Sequence, residues 1–278
     1  MNFKYKRILQ HLFVNDFCWY IASPFIYISK RLMLSRENFI TRKAEDENTA
    51  ICSRLFFQKT VLNGIFKELH FENIKATSSS IYSKLLGSYE LELAPVLQKL
   101  LANPYTHFIN VGCDEGYYAV GIAKLKPGIK VIAFDCNKTA GERCKVLAKA
   151  NLALDNITVK GCFSFTEIDD IPAQSKTLFI IDCEGCENDI INAGLIKKFT
   201  TADFIVELHY QENPLILSKL QQLFSATHKI SLINALSDHE RVMNYDFPEL
   251  ENLSYTQKDF ILNERNGFMQ WLIAESFV

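Results

Sequence analysis

From about His107 the chain alternates short runs rich in β-branched and aromatic residues with stretches of helical length and composition. The runs His107–Val111, Ile129–Asp135, Ile157–Gly161, Thr177–Asp182, Asp203–His209, Lys229–Ala235 and Met269–Ala274 predict strands. Residues 117–125, 137–154, 187–199 and 214–226 predict the helices between them. Strands alternating with helices predict an α/β fold: a seven-stranded, mainly parallel sheet with helices on both faces. No internal repeat or low-complexity tract interrupts the alternation.

Ahead of this body the pattern changes. Ile51, Leu55, Leu62, Ile65 and Leu69 recur at helical spacings, predicting a helix that starts at Asn48 or Thr49 and shows one apolar face. Residues 17–29 are uncharged and partly aromatic, with Lys4, Lys6 and Arg7 on one side and Lys30, Arg31 and Arg36 on the other. This run is too short to span a bilayer. Asn15, Asp16 and Pro24 interrupt it and no small-x-small cleavage pattern clearly follows, so a signal peptide fits poorly. Two readings stand for residues 1–43: an interfacial segment for an anionic membrane surface, or a helical arm resting on its own domain. The expected organisation is an N-terminal helical arm over 1–80 and a catalytic domain over 81–278.

Charge sharpens that division. The 278 residues carry a net charge of -2, yet residues 1–43 hold eight Lys/Arg against Asp16 and Glu37, a net of +6. The remainder therefore carries -8, which argues against a nucleic-acid partner, since phosphate binding needs clustered Lys and Arg. At 48% apolar and 22% charged residues, disordered, collagen-like and disulfide-scaffold classes are excluded. The eight cysteines are spread over a chain too long to need stapling, which predicts mostly reduced thiols and a cytoplasmic protein, peripheral to a membrane if the arm binds lipid.

In parallel sheets ligands sit outside the carboxyl ends of the strands, so the chemistry is sought there. The first strand runs into Asn110-Val111-Gly112-Cys113-Asp114-Glu115-Gly116-Tyr117-Tyr118 and then a helix. Two glycines four apart allow a sharp turn and close approach of a ligand to the backbone. Asp114 stands where a dinucleotide fingerprint has its middle glycine, which weakens a nicotinamide-dependent reading, and the acidic turn suits a cationic ligand. The second strand ends at Asp135, a carboxylate able to accept hydrogen bonds from both ribose hydroxyls. An adenosyl ligand with positive charge, such as the sulfonium S-adenosylmethionine, fits both features.

Together with Ala133-Phe134-Asp135, Asp182-Cys183-Glu184-Gly185-Cys186-Glu187, Val206-Glu207-Leu208-His209 and Gly87-Ser88-Tyr89-Glu90, the glycine turn resembles the FkbM-type family of class I S-adenosylmethionine-dependent methyltransferases. The resemblance covers roughly residues 85–275 and implies a Rossmann-like class I methyltransferase fold and O-methylation of a hydroxyl on a sugar, glycan or small metabolite. It implies a cofactor site of Glu90, Asn110, Gly112, Gly116, Tyr117, Asp135, Cys162 and Asp182, with Cys162 against the adenine. Asn110 replaces a usual aspartate, Cys113-Asp114 a usual Ala-Asn and Asp135-Cys136 a usual Glu-Pro.

Asp182, Glu184, Glu207 and His209 fall at or just past the ends of the fourth and fifth strands, where an acceptor would enter. His209 or Asp182 is expected to act as general base, with Glu184 orienting the acceptor or the cofactor amine. The same four residues offer an oxygen-rich site for a divalent metal, which spacing alone does not establish. Cys183 and Cys186 form a C-x-x-C with no second pair, which reads as small buried side chains rather than structural zinc. The rival from another class is a non-catalytic adenosyl-binding or scaffold protein acting through its basic arm.

Overall fold

A computed structural model describes residues 14, 16–71, 81–264, 267 and 269–278, apart from the side chains of Phe17 and Cys18. Two compact units, Met1–Arg54 and Leu55–Val278, divide the chain. Most of the expected arm at 1–43 is one long helix, Asp16–Leu55, with Pro24 inside it and exposed side chains that include Trp19, Tyr20, Phe25 and Tyr27. No helix among the described residues is long and apolar enough to cross a membrane.

The apolar repeat from Ile51 to Leu69 is not one helix. The helix stops at Leu55, and Lys59, Gly64 and Glu68 take positive φ angles of 52°, 74° and 70°, which fold 56–71 into turns closed by a Thr60–His70 bridge. The segment buries Val61, Phe66, Leu69 and Phe71, of which only Leu69 belongs to the repeat; Ile51, Leu55, Leu62 and Ile65 are half-buried, so the helical spacing does not mark the face that packs.

The second unit is built on β1 (His107–Val111), β2 (Lys130–Phe134), β3 (Ile157–Lys160), β4 (Thr177–Ile181), β5 (Asp203–Glu207), β6 (His228–Asn234) and β7 (Gln270–Ser276). They form a seven-stranded sheet in the order β3-β2-β1-β4-β5-β7-β6, parallel except for β7, the Rossmann-like architecture expected. Every residue of β4 and β5 is buried, as a strand covered on both faces requires. One face packs Ile109, Val111, Phe179, Ile181, Phe204 and Val206 against Leu195, Phe199, Leu220 and Phe224.

The expected helices appear as Tyr117–Leu125, Lys138–Ala150, Glu187–Ile190 with Ala193–Lys198, and Ile216–Phe224. Asn192 divides the third, because its side chain caps a new start by accepting from the N–H groups of Gly194 and Leu195. Unpredicted helices lie at Ile81–Leu86, Ala94–Leu101, Asp238–Asn244 and Tyr255–Leu262. Ser237 and Ser254 begin the last two with complete capping boxes. Because order reverses between β1 and β4, the carboxyl ends of β1, β2 and β4 surround a crevice, and the site lies there.

Candidate active site

A cavity of about 480 Å³ opens at these strand ends. Its size falls in the range of small-molecule sites. From the β3 side to the β4 side, Cys162 and Phe163, Phe134 to Asn137, Val111 to Asp114, and Asp182 to Glu184 line it in turn, with Lys84, Tyr89, Tyr117 and Tyr118 contributing from outside the sheet.

Gly112 shows why the first turn has its sequence. It has φ +77°, and a Cβ there would fall 1.5 Å from the carbonyl oxygen of Asp182. The turns after β1 and β4 thus pass in backbone contact, with the Asp182 N–H donating to Val111 O at 2.9 Å. Gly116, φ +96°, starts the helix Tyr117–Leu125 with its α-carbon side against Cys144 of the helix Lys138–Ala150.

The N–H groups of this turn are used internally. Those of Gly112 and Cys113 donate to Phe134 O at 2.9 and 3.0 Å, and that of Gly116 donates to Cys113 O at 2.8 Å. The Asp114 N–H donates to Asp135 Oδ2 at 2.9 Å, while Oδ1 accepts from the Asn137 N–H at 2.8 Å. Asp135 is thereby fixed at the end of β2, and each carboxylate oxygen keeps a lone pair for a further donor. The turn presents an oriented acid, not the row of free N–H groups a pyrophosphate takes.

At the other end the segment after β4 turns sharply, with Glu184 at φ 55° and Gly185 at φ 107°. Glu187, 1% exposed, ties it down: one oxygen accepts from the N–H groups of Cys183 at 3.1 Å and Gly185 at 3.3 Å. The same oxygen lies 2.8 Å from His209 Nδ1. His209 Nε2 lies 3.2 Å from Glu184, 3.7 Å from Asp182 and 3.9 Å from Glu207. Burial by itself would lower the His209 pKa, but the close carboxylates of Glu184, Glu187 and Glu207 outweigh it and raise the value to about 10. Burial opposes ionisation of Glu187 too, yet its imidazole partner holds its carboxyl below the usual range. At neutral pH the pair is imidazolium and carboxylate, so His209 in this arrangement already carries the proton that a base would have to accept.

Gly112, Tyr117, Asp135, Cys162, Asp182 and Glu184 line the cavity, as do Cys113, Cys183 and Cys186. Glu90, Asn110, Gly116 and His209 do not line it. Glu90 is buried behind Tyr118, whose hydroxyl donates to it, and its own N–H donates to Glu264 at 3.2 Å. Asn110 is buried in β1 and donates from Nδ2 to Ile180 O at 3.4 Å. His209 stands behind the Asp182–Glu184 rim. Asp182, Glu207 and His209 offer ligand atoms within 4.8 Å of one another, a set able to hold a cation.

Two cysteines depart from the expected reduced state: Cys136 and Cys162, both on the cavity wall, form a disulfide. Cys52, Cys113, Cys144, Cys183 and Cys186 are free. Cys186 is exposed and Cys183 half-buried, so the C-x-x-C is not the pair of small buried side chains expected; burial first, then the charge of Glu187, pushes the Cys183 thiol up.

Two residues that shape the site, Glu187 and Lys84, are not among those the sequence singles out. Glu187 was legible as the last residue of the Asp182–Glu187 motif, though its grip on His209 was not. Lys84, 3% exposed, lines the cavity and pairs with the fully buried Glu115. Its Nζ sits 4.7 Å from the ring centroid of Tyr89 and 5.7 Å from that of Tyr117.

The chain matches no protein-family model and no curated protein. Among solved structures it is similar to cofactor-bound Rv0187 from MTB, at 12% identity and TM-score 0.43 over 84% of this chain and 91% of that one. It is also similar to precorrin-6y C5,15-methyltransferase from Geobacter metallireducens, at 12% identity and TM-score 0.43 over 66% and 88% of the two chains. The O-methyltransferase TomG from Streptomyces achromogenes, solved with SAM and involved in tomaymycin synthesis, matches at 7% identity and TM-score 0.41 over 66% and 79%. These are likenesses of fold alone.

Proposed function

We propose that the protein is an S-adenosylmethionine-dependent methyltransferase acting on a hydroxyl of a sugar, glycan or other small metabolite. One observation carries the reading: the turn after β1 gives the N–H groups of Gly112 and Cys113 to the end of β2 and that of Asp114 to Asp135, so an oriented acid stands where a dinucleotide site offers donors. That chemistry favours a ribose on an adenosyl group without phosphate. The acidic segment Asp182–Glu187 at the other end suits a sulfonium. The likeness of the Gly87–Glu90, Asp182–Glu187 and Glu207–His209 elements to the FkbM-type family supports an alcohol as acceptor.

S-adenosylmethionine, when bound, supplies an electrophilic methyl group. Asp135 is positioned for the ribose hydroxyls, Gly112 for close approach of the ligand to the backbone, and Phe134 and Phe163 for an apolar wall beside the adenine. Asp182, on the cavity wall, is the group assigned to accept the acceptor's proton. His209, as an imidazolium between Glu184 and Glu187, holds the acidic rim in place. Placement of a general base contributes ~10²–10⁴-fold, and alignment of the reactants supplies much of the rest.

A labelled-methyl transfer screen against glycans and small alcohols tests the proposal. Transfer to a hydroxyl, reduced at least about 100-fold in Asp182→Asn, is expected. Binding of the cofactor without transfer to any acceptor would instead support an adenosyl-binding scaffold.

A further inference from the structure

We infer that Lys84 is the cation that takes the α-carboxylate of the cofactor's amino-acid portion, which rests on the S-adenosylmethionine reading above. Lysine is among the residues least often buried, and a buried one needs partners for its charge. Glu115 provides one: a carboxylate with no exposure, set in the turn between Gly112 and Gly116. The ammonium has three donors, and a single carboxylate oxygen uses one. Tyr89 and Tyr117 face it with their rings, which attract a cation but do not take a strong hydrogen bond. Lys84 and both rings form part of the cavity wall, so the remaining donors have a ligand-sized space to serve.

Position along the cavity selects which part of the ligand meets this lysine. Asp135 and Cys162 mark the β2–β3 end, where ribose and adenine are assigned. The helix Tyr117–Leu125 has the helix Lys138–Ala150 on that side, with Gly116 against Cys144. Its other flank meets Phe66, which lies against both Gly121 and Tyr117, and the segment carrying Lys84 is tied to the turns around Phe66, Leu85 O and Leu86 O accepting from the Leu62 and Asn63 N–H groups. The lysine therefore serves the end away from the nucleoside. An amino-acid carboxylate is the anionic group a sulfonium-adenosyl ligand carries there, and a charge-assisted hydrogen bond matches it.

The test compares two ligands that differ by one group. Calorimetric titration of the full chain with S-adenosylmethionine and with its decarboxylated form measures what the carboxylate contributes. Wild type is expected to bind the carboxylated ligand more tightly. Lys84→Met should weaken that ligand ~10–100-fold, the range for a lost charged hydrogen bond, and leave the decarboxylated one within about threefold. Lys84→Met/Glu115→Gln removes both charges of the buried pair together and should show the same ligand-selective loss in a chain with no orphaned carboxylate. Equal weakening of both ligands, or no weakening of either, in the double variant would overturn the assignment to Lys84. Failure of wild type to bind either ligand would overturn the cofactor reading itself.

Discussion

His209→Gln gives the account of the acidic rim a quantitative test. In the folded chain the imidazole pKa rises from 6.5 to about 10; its side chain is 15% exposed, Glu187 and Glu207 beside it are buried, and Glu184 at 68% exposed is screened by solvent, which makes the figures that follow upper bounds. At ~1.4 kcal/mol per unit, the charged form is favoured by about 5 kcal/mol. Because the folded value is raised, this stability is complete below the unfolded pKa near 6.5 and disappears as pH climbs through about 10. Linkage then leaves about 4 kcal/mol at pH 7 and under ~1 kcal/mol at pH 10. Other groups titrate over the same range, so the informative quantity is the difference between wild type and variant. Urea unfolding of both without ligand, at pH 6, 7, 8.5 and 10, should show that difference shrinking by about 3 kcal/mol from pH 7 to 10. A difference that stays constant within ~0.5 kcal/mol would mean a neutral imidazole, and His209 would return as a candidate base.

Three further outcomes follow from the same structure. Gly112→Ala should destabilise the fold by more than ~3 kcal/mol, because its Cβ would meet the Asp182 carbonyl at 1.5 Å, whereas Gly128→Ala, with nothing within 4 Å, should stay within ~0.5 kcal/mol; equal denaturation midpoints would refute the backbone contact. Since the His209 imidazolium supplies a positive charge to the rim, transferase activity should remain within about twofold in chelator; a loss that Mg²⁺ restores would reassign Asp182, Glu207 and His209 as metal ligands. For the basic, aromatic segment 1–43 we propose contact with anionic lipid: flotation with phosphatidylserine liposomes should recover the full chain and not a chain lacking residues 1–43, and equal recovery would remove the membrane role.

Much of the architecture was legible because its signal is local. Strands buried on both faces, as β4 and β5 are, must be continuous apolar runs, and the β-rich runs from His107 to Ala274 announced the sheet to within a residue or two at most ends. Gly112, Asp135, Asp182 and Glu184 were legible for a related reason: in such a sheet the first residues past a strand are the ones that face a ligand. What sequence could not show depends on distant segments meeting. Lys84 and Glu115 lie in separate elements, and nothing near either predicts a buried pair. Cys136 and Cys162 became partners because β2 and β3 pair in a register that matches Phe134 with Lys160, which carries the residues two further on to the same level. His209 was visible as a titratable residue, yet its protonation state is set by Glu184, Glu187 and Glu207, which only the folded loop gathers. The helix expected over residues 49–69 failed because positive φ angles at Lys59 and Glu68 leave no mark on an apolar periodicity.

The central claim is that the crevice at β1, β2 and β4 takes a sulfonium-adenosyl ligand rather than a dinucleotide. Parallel calorimetric titrations with S-adenosylmethionine and NAD⁺, on wild type and Asp135→Ala, address it directly. The account predicts one S-adenosylmethionine site per chain, weakened at least about tenfold in the variant, and no heat of binding with NAD⁺. Binding of NAD⁺ with none of S-adenosylmethionine would contradict it.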